Sequence, residues 1–229
     1  MGYKKYEIIE MCENAFTEVN TFYKKDFINY RGKTSDTNEY YTEIVAQYVL
    51  EHLEEYKNGI IVITRNKSYK TDGHNGEFSP CSNRIEEIIA KEMYRQGITF
   101  DSIGKIIDYQ TPLKSKKDDV AGKFDLLSYN EKNNTVYILE LKKPDSDETM
   151  LRCVLEGYTY LQTINKEKLL CDFNIPPMTK VVASPLVFRN GKQENEMIEG
   201  RHLLNRLMQN LGIKPYYITK ENEIYFVEE

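Results

Sequence analysis

The sequence predicts an α/β fold: a central mixed β-sheet with helices on both faces, preceded by a helical N-terminal extension. Three observations carry this expectation. Strand-sized apolar runs recur at Ile103–Leu113, Gly122–Tyr129, Thr135–Lys142 and Lys180–Phe188. Amphipathic stretches with helical spacing stand before, between and after them. The pair Asn133-Asn134 separates the second run from the third, where it predicts a hairpin turn.

Taken in order, Ile8, Met11, Ala15, Phe16 and Val19 recur at helical intervals, and an aromatic-rich segment follows around Phe22–Tyr30. Arg31–Asn38 is a polar break. A second helix is predicted from about Glu39 to Lys57, with Ile44, Val45, Tyr48, Val49 and Leu53 on one face. Gly59–Arg65, rich in Ile and Val, reads as a buried strand, and Asn66–Pro80 as a loop. Ser82–Gln96 is an amphipathic helix that Gly97 would cap. Three strands follow, then a long helix over Glu148–Ile164 and the strand Lys180–Phe188. A helix over Glu196–Leu211 and a hairpin of Tyr216–Thr219 with Glu223–Val227 close the chain. The expected division is an extension over residues 1–80 packed on a core over residues 81–229.

Composition narrows the function classes. A hydrophobic fraction of 40% and a charged fraction of 29% belong to a water-soluble globular chain. No apolar run approaches the ~20 residues needed to cross a bilayer. The N-terminal residues show no secretory pattern, so a cytoplasmic location without membrane attachment is expected. Cys12, Cys81, Cys153 and Cys171 form no CxxC pair and read as reduced thiols. His52, His74 and His202 lack metal-site spacing and read as structural. The formal net charge of −5 argues against a module that grips nucleic acid by a broad basic face. It leaves room for an enzyme that holds phosphates locally, since catalytic carboxylates themselves add negative charge.

The chemistry concentrates in Gly122–Lys143, GKFDLLSYNEKNNTVYILELKK. Side chains alternate between the faces of a strand, so Val136, Ile138, Glu140 and Lys142 share one face. A carboxylate and an ammonium thus end a face that begins apolar. Burying such groups is costly unless something pairs or ligates them. Asp125 interrupts the preceding strand in the same way, and the hairpin would bring it near Glu140. Two carboxylates with the backbone carbonyl of Leu141 are hard oxygen donors suited to Mg²⁺ or Mn²⁺. Lys142 would then orient an attacking water or neutralise charge in the transition state.

An Asp followed about fifteen residues later by Glu-Leu-Lys at the end of an apolar strand resembles the PD-(D/E)XK nuclease superfamily. The order helix, three strands, helix, strand over Ser82–Phe188 also resembles that family's restriction-endonuclease-like core. Phe124 stands where the family name has proline. The resemblance implies Mg²⁺-dependent hydrolysis of phosphodiester bonds, with DNA as the expected partner. It implies Asp125, Glu140 and Lys142 as catalytic residues, with a further carboxylate from the first core helix. On that helix Glu86 borders the apolar face and is favoured, Glu87 points nearly opposite, and Glu92 is the weaker alternative. The expected metal set is Asp125, Glu140, Leu141 and Glu86.

Substrate contacts are expected from Lys143, Thr149 and Arg152, the last two on a polar stripe with Glu156 and Tyr160 along the following helix, which reads equally as a solvated face. Ser146 or Asp147 would cap that helix. Lys114, Lys116 and Lys117 form a short basic loop that reads more as solvated charge than as a phosphate grip. A homodimer would suit a double-strand cutter, although no motif specifies one. The rival expectation is a noncatalytic interaction protein that keeps the same fold as a scaffold. A phosphoesterase acting on small nucleotides is the third.

Overall fold

The computed structural model describes residues 2–77, 83–113 and 122–229. The basic loop Lys114–Lys117, together with Pro80, Cys81 and Ser82, lies outside the described residues.

The chain is α/β, and its described residues build one mixed sheet of seven strands whose spatial order is their chain order. The strands are β1 (Thr99–Phe100), β2 (Gly104–Pro112), β3 (Lys123–Asn130), β4 (Thr135–Leu141), β5 (Lys180–Phe188), β6 (Tyr216–Glu221) and β7 (Ile224–Glu228). Strands β1 to β4 form an antiparallel meander. Strand β5 runs parallel to β4 and β6 parallel to β5, while β7 returns antiparallel to β6. Parallel neighbours need a crossover, and helices supply both. They are α5 (Met150–Thr163) with α6 (Lys166–Asp172), then α7 (Lys192–Ile198) with α8 (His202–Leu211).

Two apolar layers enclose the sheet. Helix α4 (Ile85–Gln96) lays Ile89, Ala90 and Met93 in a cluster with Leu126, Tyr137, Leu139 and Leu141 on one face. The other face presents Leu127, Val136, Ile138 and Ala183 to α5 and α8. The same cluster takes in Ile8 and Cys12 of α1 (Lys5–Phe16) and Ile44, Val45 and Val49 of α2 (Tyr41–Glu51). Residues of the N-terminal extension therefore share one core with the sheet. Every residue of β4 is buried, as a strand covered on both sides requires. Each fully buried Leu or Ile there contributes roughly 1.5–3 kcal/mol through removal of apolar surface from water.

Local chemistry explains several boundaries. Gly97 takes a left-handed φ of 66° past the end of α4, a conformation that costs glycine nothing. Gly104 opens β2 at φ 77°, and a Cβ built there would lie 2.2 Å from the Tyr129 carbonyl oxygen. Asn134 turns β3 into β4 at φ 49°, as the hairpin expectation required.

Four expectations are corrected. Gly59–Arg65 is no strand: Ile61 and Val62 are 67% and 56% exposed, and Ile63 N–H reaches only the Thr163 carbonyl, 2.8 Å away. The segment has apolar side chains but no neighbouring strand to pair with among the described residues. The helix expected over Glu39–Lys57 divides at His52 into α2 and α3 (Leu53–Gly59). The one expected over Glu196–Leu211 divides at Gly200 into α7 and α8. Finally, Thr149 rather than Ser146 or Asp147 caps α5, accepting from Arg152 N–H at 3.1 Å.

Among the described residues no helix is long and apolar enough to cross a membrane.

Candidate metal centre

The β3–β4 register pairs Leu126 with Leu139 and Leu127 with Ile138, which sets Asp125 opposite Glu140 one step beyond the ladder. At that point the carboxylate replaces the ladder: Asp125 Oδ2 accepts Leu141 N–H at 2.9 Å. Its other oxygen, Oδ1, accepts the side-chain amide of Gln110 at 2.8 Å. Gln110 belongs to β2 and lies between the paired positions Tyr109↔Leu126 and Thr111↔Phe124. It holds a left-handed φ of 49°, a conformation that costs a side-chain-bearing residue on the order of 1 kcal/mol or more.

Lys142 follows β4 and is 4% exposed. Its ammonium lies 2.8 Å from Glu140 Oε1, 2.5 Å from Glu148 Oε2 and 3.7 Å from Glu156 Oε2. Arg152 Nε stands 3.1 Å from Glu148 and 3.8 Å from Glu156. Tyr160 donates its hydroxyl to Glu156 at 2.8 Å, and Tyr23 of the N-terminal extension donates to Tyr160 at 3.4 Å. The extension thus reaches the edge of the centre.

Acid outweighs base in this cluster. Asp125, Glu140, Glu148 and Glu156 are four carboxylates against the two cations Lys142 and Arg152. Burial, with repulsion from Glu86 added to it, pushes the Asp125 carboxyl up to about 7 despite the pull of Lys142. Burial first and Glu156 second push Glu140 well above the carboxylate range. Burial alone would lower Lys142, but the surrounding acids, Glu140 foremost, outweigh it and hold the ammonium protonated. Glu140 Oε2 is buried with no hydrogen-bond partner among the described residues.

An orphaned carboxylate oxygen inside a surplus of negative charge fits a hard divalent cation. Asp125 and Glu140 would hold it, with the carbonyl of Leu141, the residue after Glu140. Among the described residues no three His, Cys, Asp or Glu side chains stand together as a ready cation cage. One or two carboxylates are the usual protein share of a Mg²⁺ shell, with waters and phosphate oxygens completing it.

The other predicted residues divide. Glu86, in the first turn of α4, accepts Lys143 N–H at 3.2 Å and lines a cleft of about 350 Å³ together with Asp125, Gln110, Lys123 and Lys143. Glu87 pairs instead with Lys91 at 2.8 Å, though it also borders the cleft. Glu92 turns away to Tyr225 and Lys220. Lys143 lines the same cleft. Thr149 is fully buried, its hydroxyl donating to the Ile28 carbonyl at 2.8 Å, which leaves it no surface for a substrate. Arg152 is turned toward Glu148 and Glu156. Sequence reasoning missed Glu148 as a partner of Lys142, Lys123 at the rim, and Gln110. Of these only Lys123 carried a signal, as a cation two residues before Asp125.

Asp125 predicts a pH dependence. Its proton is bound more tightly in the folded chain than in the unfolded one, so this group's contribution to stability falls as pH rises from about 4 through about 7. Without added metal, urea unfolding of the wild type should lose on the order of 2 kcal/mol between about pH 5 and about pH 8 from this group. Asp125→Asn should flatten that slope; an unchanged slope would mean that Asp125 titrates normally.

Comparisons of the chain with known protein families, with curated proteins and with solved structures give no match.

Proposed function

We propose that this protein is a metal-dependent nuclease of the PD-(D/E)XK type, hydrolysing phosphodiester bonds in DNA. The observation that carries the proposal is the trio Asp125, Glu140 and Lys142 at the ends of β3 and β4, with one Glu140 oxygen buried and unpartnered. The element order supports it further. Helix α4, the antiparallel β2–β3–β4, the crossover α5 and the parallel β5 follow the sequence expected of a restriction-endonuclease-like core.

Bound to Asp125 and Glu140, Mg²⁺ or Mn²⁺ would supply Lewis-acid polarisation of a phosphoryl oxygen and would acidify an attacking water. The chain's own groups do the rest. Leu141 N–H and Gln110 fix the plane of the Asp125 carboxylate. Lys142, kept charged by three glutamates, offers a fixed ammonium toward the negative charge that develops on the phosphoryl group. Lys123 and Lys143 line the cleft and attract the polyanion locally, consistent with a chain that is acidic as a whole. Glu86 borders the same cleft and adds a carboxylate.

One observation favours the scaffold reading instead. Lys142 is already paired with Glu140, Glu148 and Glu156, so its charge is satisfied within the chain. Cleavage assays separate the readings. Linear duplex, circular and single-stranded DNA, and mononucleotide esters, should be incubated with Mg²⁺ or Mn²⁺ beside Asp125→Ala and Lys142→Ala. The nuclease should cut polymer only, in a chelator-sensitive way that both variants abolish. Cleavage of the esters alone would make it a small-nucleotide phosphoesterase, and no cleavage of any substrate would favour the scaffold.

A further inference from the structure

Gln110 departs from the strand that contains it. Its neighbours Tyr109 and Thr111 pair across to Leu126 and Phe124, yet its own backbone turns to φ 49°. Left-handed backbone on a side-chain-bearing residue persists only where surrounding structure enforces it, and such positions cluster at functional sites. Here the turn coincides with a side-chain amide that reaches Asp125 Oδ1 at 2.8 Å. A carboxylate only accepts hydrogen bonds, so the amide nitrogen must be the group that faces it.

The consequence is geometric. Asp125 Oδ2 accepts Leu141 N–H at 2.9 Å, so each oxygen of this carboxylate has one donor from a different strand, β2 and β4. Two anchors fix both the position and the rotation of the group. Each oxygen keeps a second lone pair, and the carboxylate borders the cleft that Glu86 also lines. Glycine at position 110 would adopt the same backbone without strain, yet the chain has glutamine there. The side chain, not the turn, is therefore the feature to explain.

We propose that Gln110 is a positioning residue of the metal centre, whose amide orients the Asp125 carboxylate so that its remaining lone pairs converge on a divalent cation. This rests on the metal-dependent reading of the site. Donors that hold a ligating group at its far side characteristically matter 10- to 100-fold, in order-of-magnitude terms of about one to two decades, for metal affinity or activity.

The test uses the full chain with Gln110→Gly, which keeps the backbone turn and deletes the amide, and Gln110→Asn, which tolerates the turn and retains a shorter amide. Mn²⁺ affinity is read by calorimetry, thermal stability by unfolding, and DNA cleavage as separate kcat and KM values. The expected Gln110→Gly protein still folds cooperatively and binds Mn²⁺ about tenfold or more weakly. Its kcat falls by about as much while KM for DNA moves less than about twofold, because the lost contact acts on the reacting centre rather than on the polymer. Gln110→Asn should recover part of both losses. Mn²⁺ affinity and kcat equal to wild type in Gln110→Gly would overturn the role while leaving the nuclease reading intact. Should Gln110→Gly not fold, the Gln110→Asn protein decides on the same two readouts: wild-type values would overturn the role. A wild type that neither binds Mn²⁺ nor cuts DNA would overturn the nuclease reading itself, and this role with it.

Discussion

Lys142→Ala is expected to lower folding stability by about 3–5 kcal/mol, the characteristic loss when one member of a buried charge cluster is removed. The ammonium is 4% exposed and holds Glu140, Glu148 and Glu156 together. Its removal leaves those carboxylates facing one another, with Arg152 beside Glu148 and Glu156. The chain can relieve part of the repulsion by protonating the acids. The loss should therefore be smaller at about pH 5 than at about pH 8, since keeping these acids protonated in the folded chain costs less at the lower pH. Lys142→Met, which keeps most of the apolar stem, should behave like alanine if charge is the cause. Urea midpoints at the two pH values decide this. A loss below about 1 kcal/mol at both would mean that the pairs behave as exposed surface ion pairs.

Glu140→Gln is expected to do the opposite to stability and far worse to catalysis. Glu140 is pushed up by burial and by Glu156, and one of its oxygens has no partner. Neutralising it removes an ionisation that the folded chain resists, so stability without metal should rise near pH 8. The same change removes an expected cation ligand. Metal-dependent cleavage should fall by about a thousandfold or more, the several kcal/mol that a catalytic metal supplies. Opposite signs for Lys142→Ala and Glu140→Gln are the signature of a site that stores surplus negative charge. An ordinary ion pair would lose stability when either partner is removed. Unfolding with a chelator present, run beside cleavage with Mg²⁺, measures both effects. A Glu140→Gln protein that is both less stable and fully active would contradict the account.

Much of this centre was legible in the sequence because it depends on local rules. Period-two alternation alone places Glu140 and Lys142 on one face with Ile138, and the Asn133-Asn134 turn fixes which strand lies alongside. Together they bring Asp125 opposite Glu140, as the β3–β4 register does. The strand Lys180–Phe188 was legible to the residue, since its apolar run is bounded by polar turns. Gly59–Arg65 misled because apolar β-branched composition marks a strand only if a partner strand arrives, and that partner is a nonlocal fact. The break at His52 likewise follows from how two helices pack, since both sides of it carry helix-compatible residues.

The polar half of the site was less legible for the same reason. Glu148 and Glu156 meet Lys142 only because α5 crosses β4 at one particular height and rotation. Arg152, on a stripe expected to face phosphate, is drawn inward by those two carboxylates. Gln110 had no signal at all. Its role depends on a left-handed residue inside a strand, which composition does not announce.

The most direct test of the central claim, that the acidic centre is a divalent-cation site, is calorimetric titration of Mn²⁺ into metal-free wild type and Glu140→Gln at the same pH. The account predicts a saturable site in the wild type and affinity lower by about tenfold or more in the variant. Equal affinity in both proteins, or no saturable binding in the wild type, would contradict it.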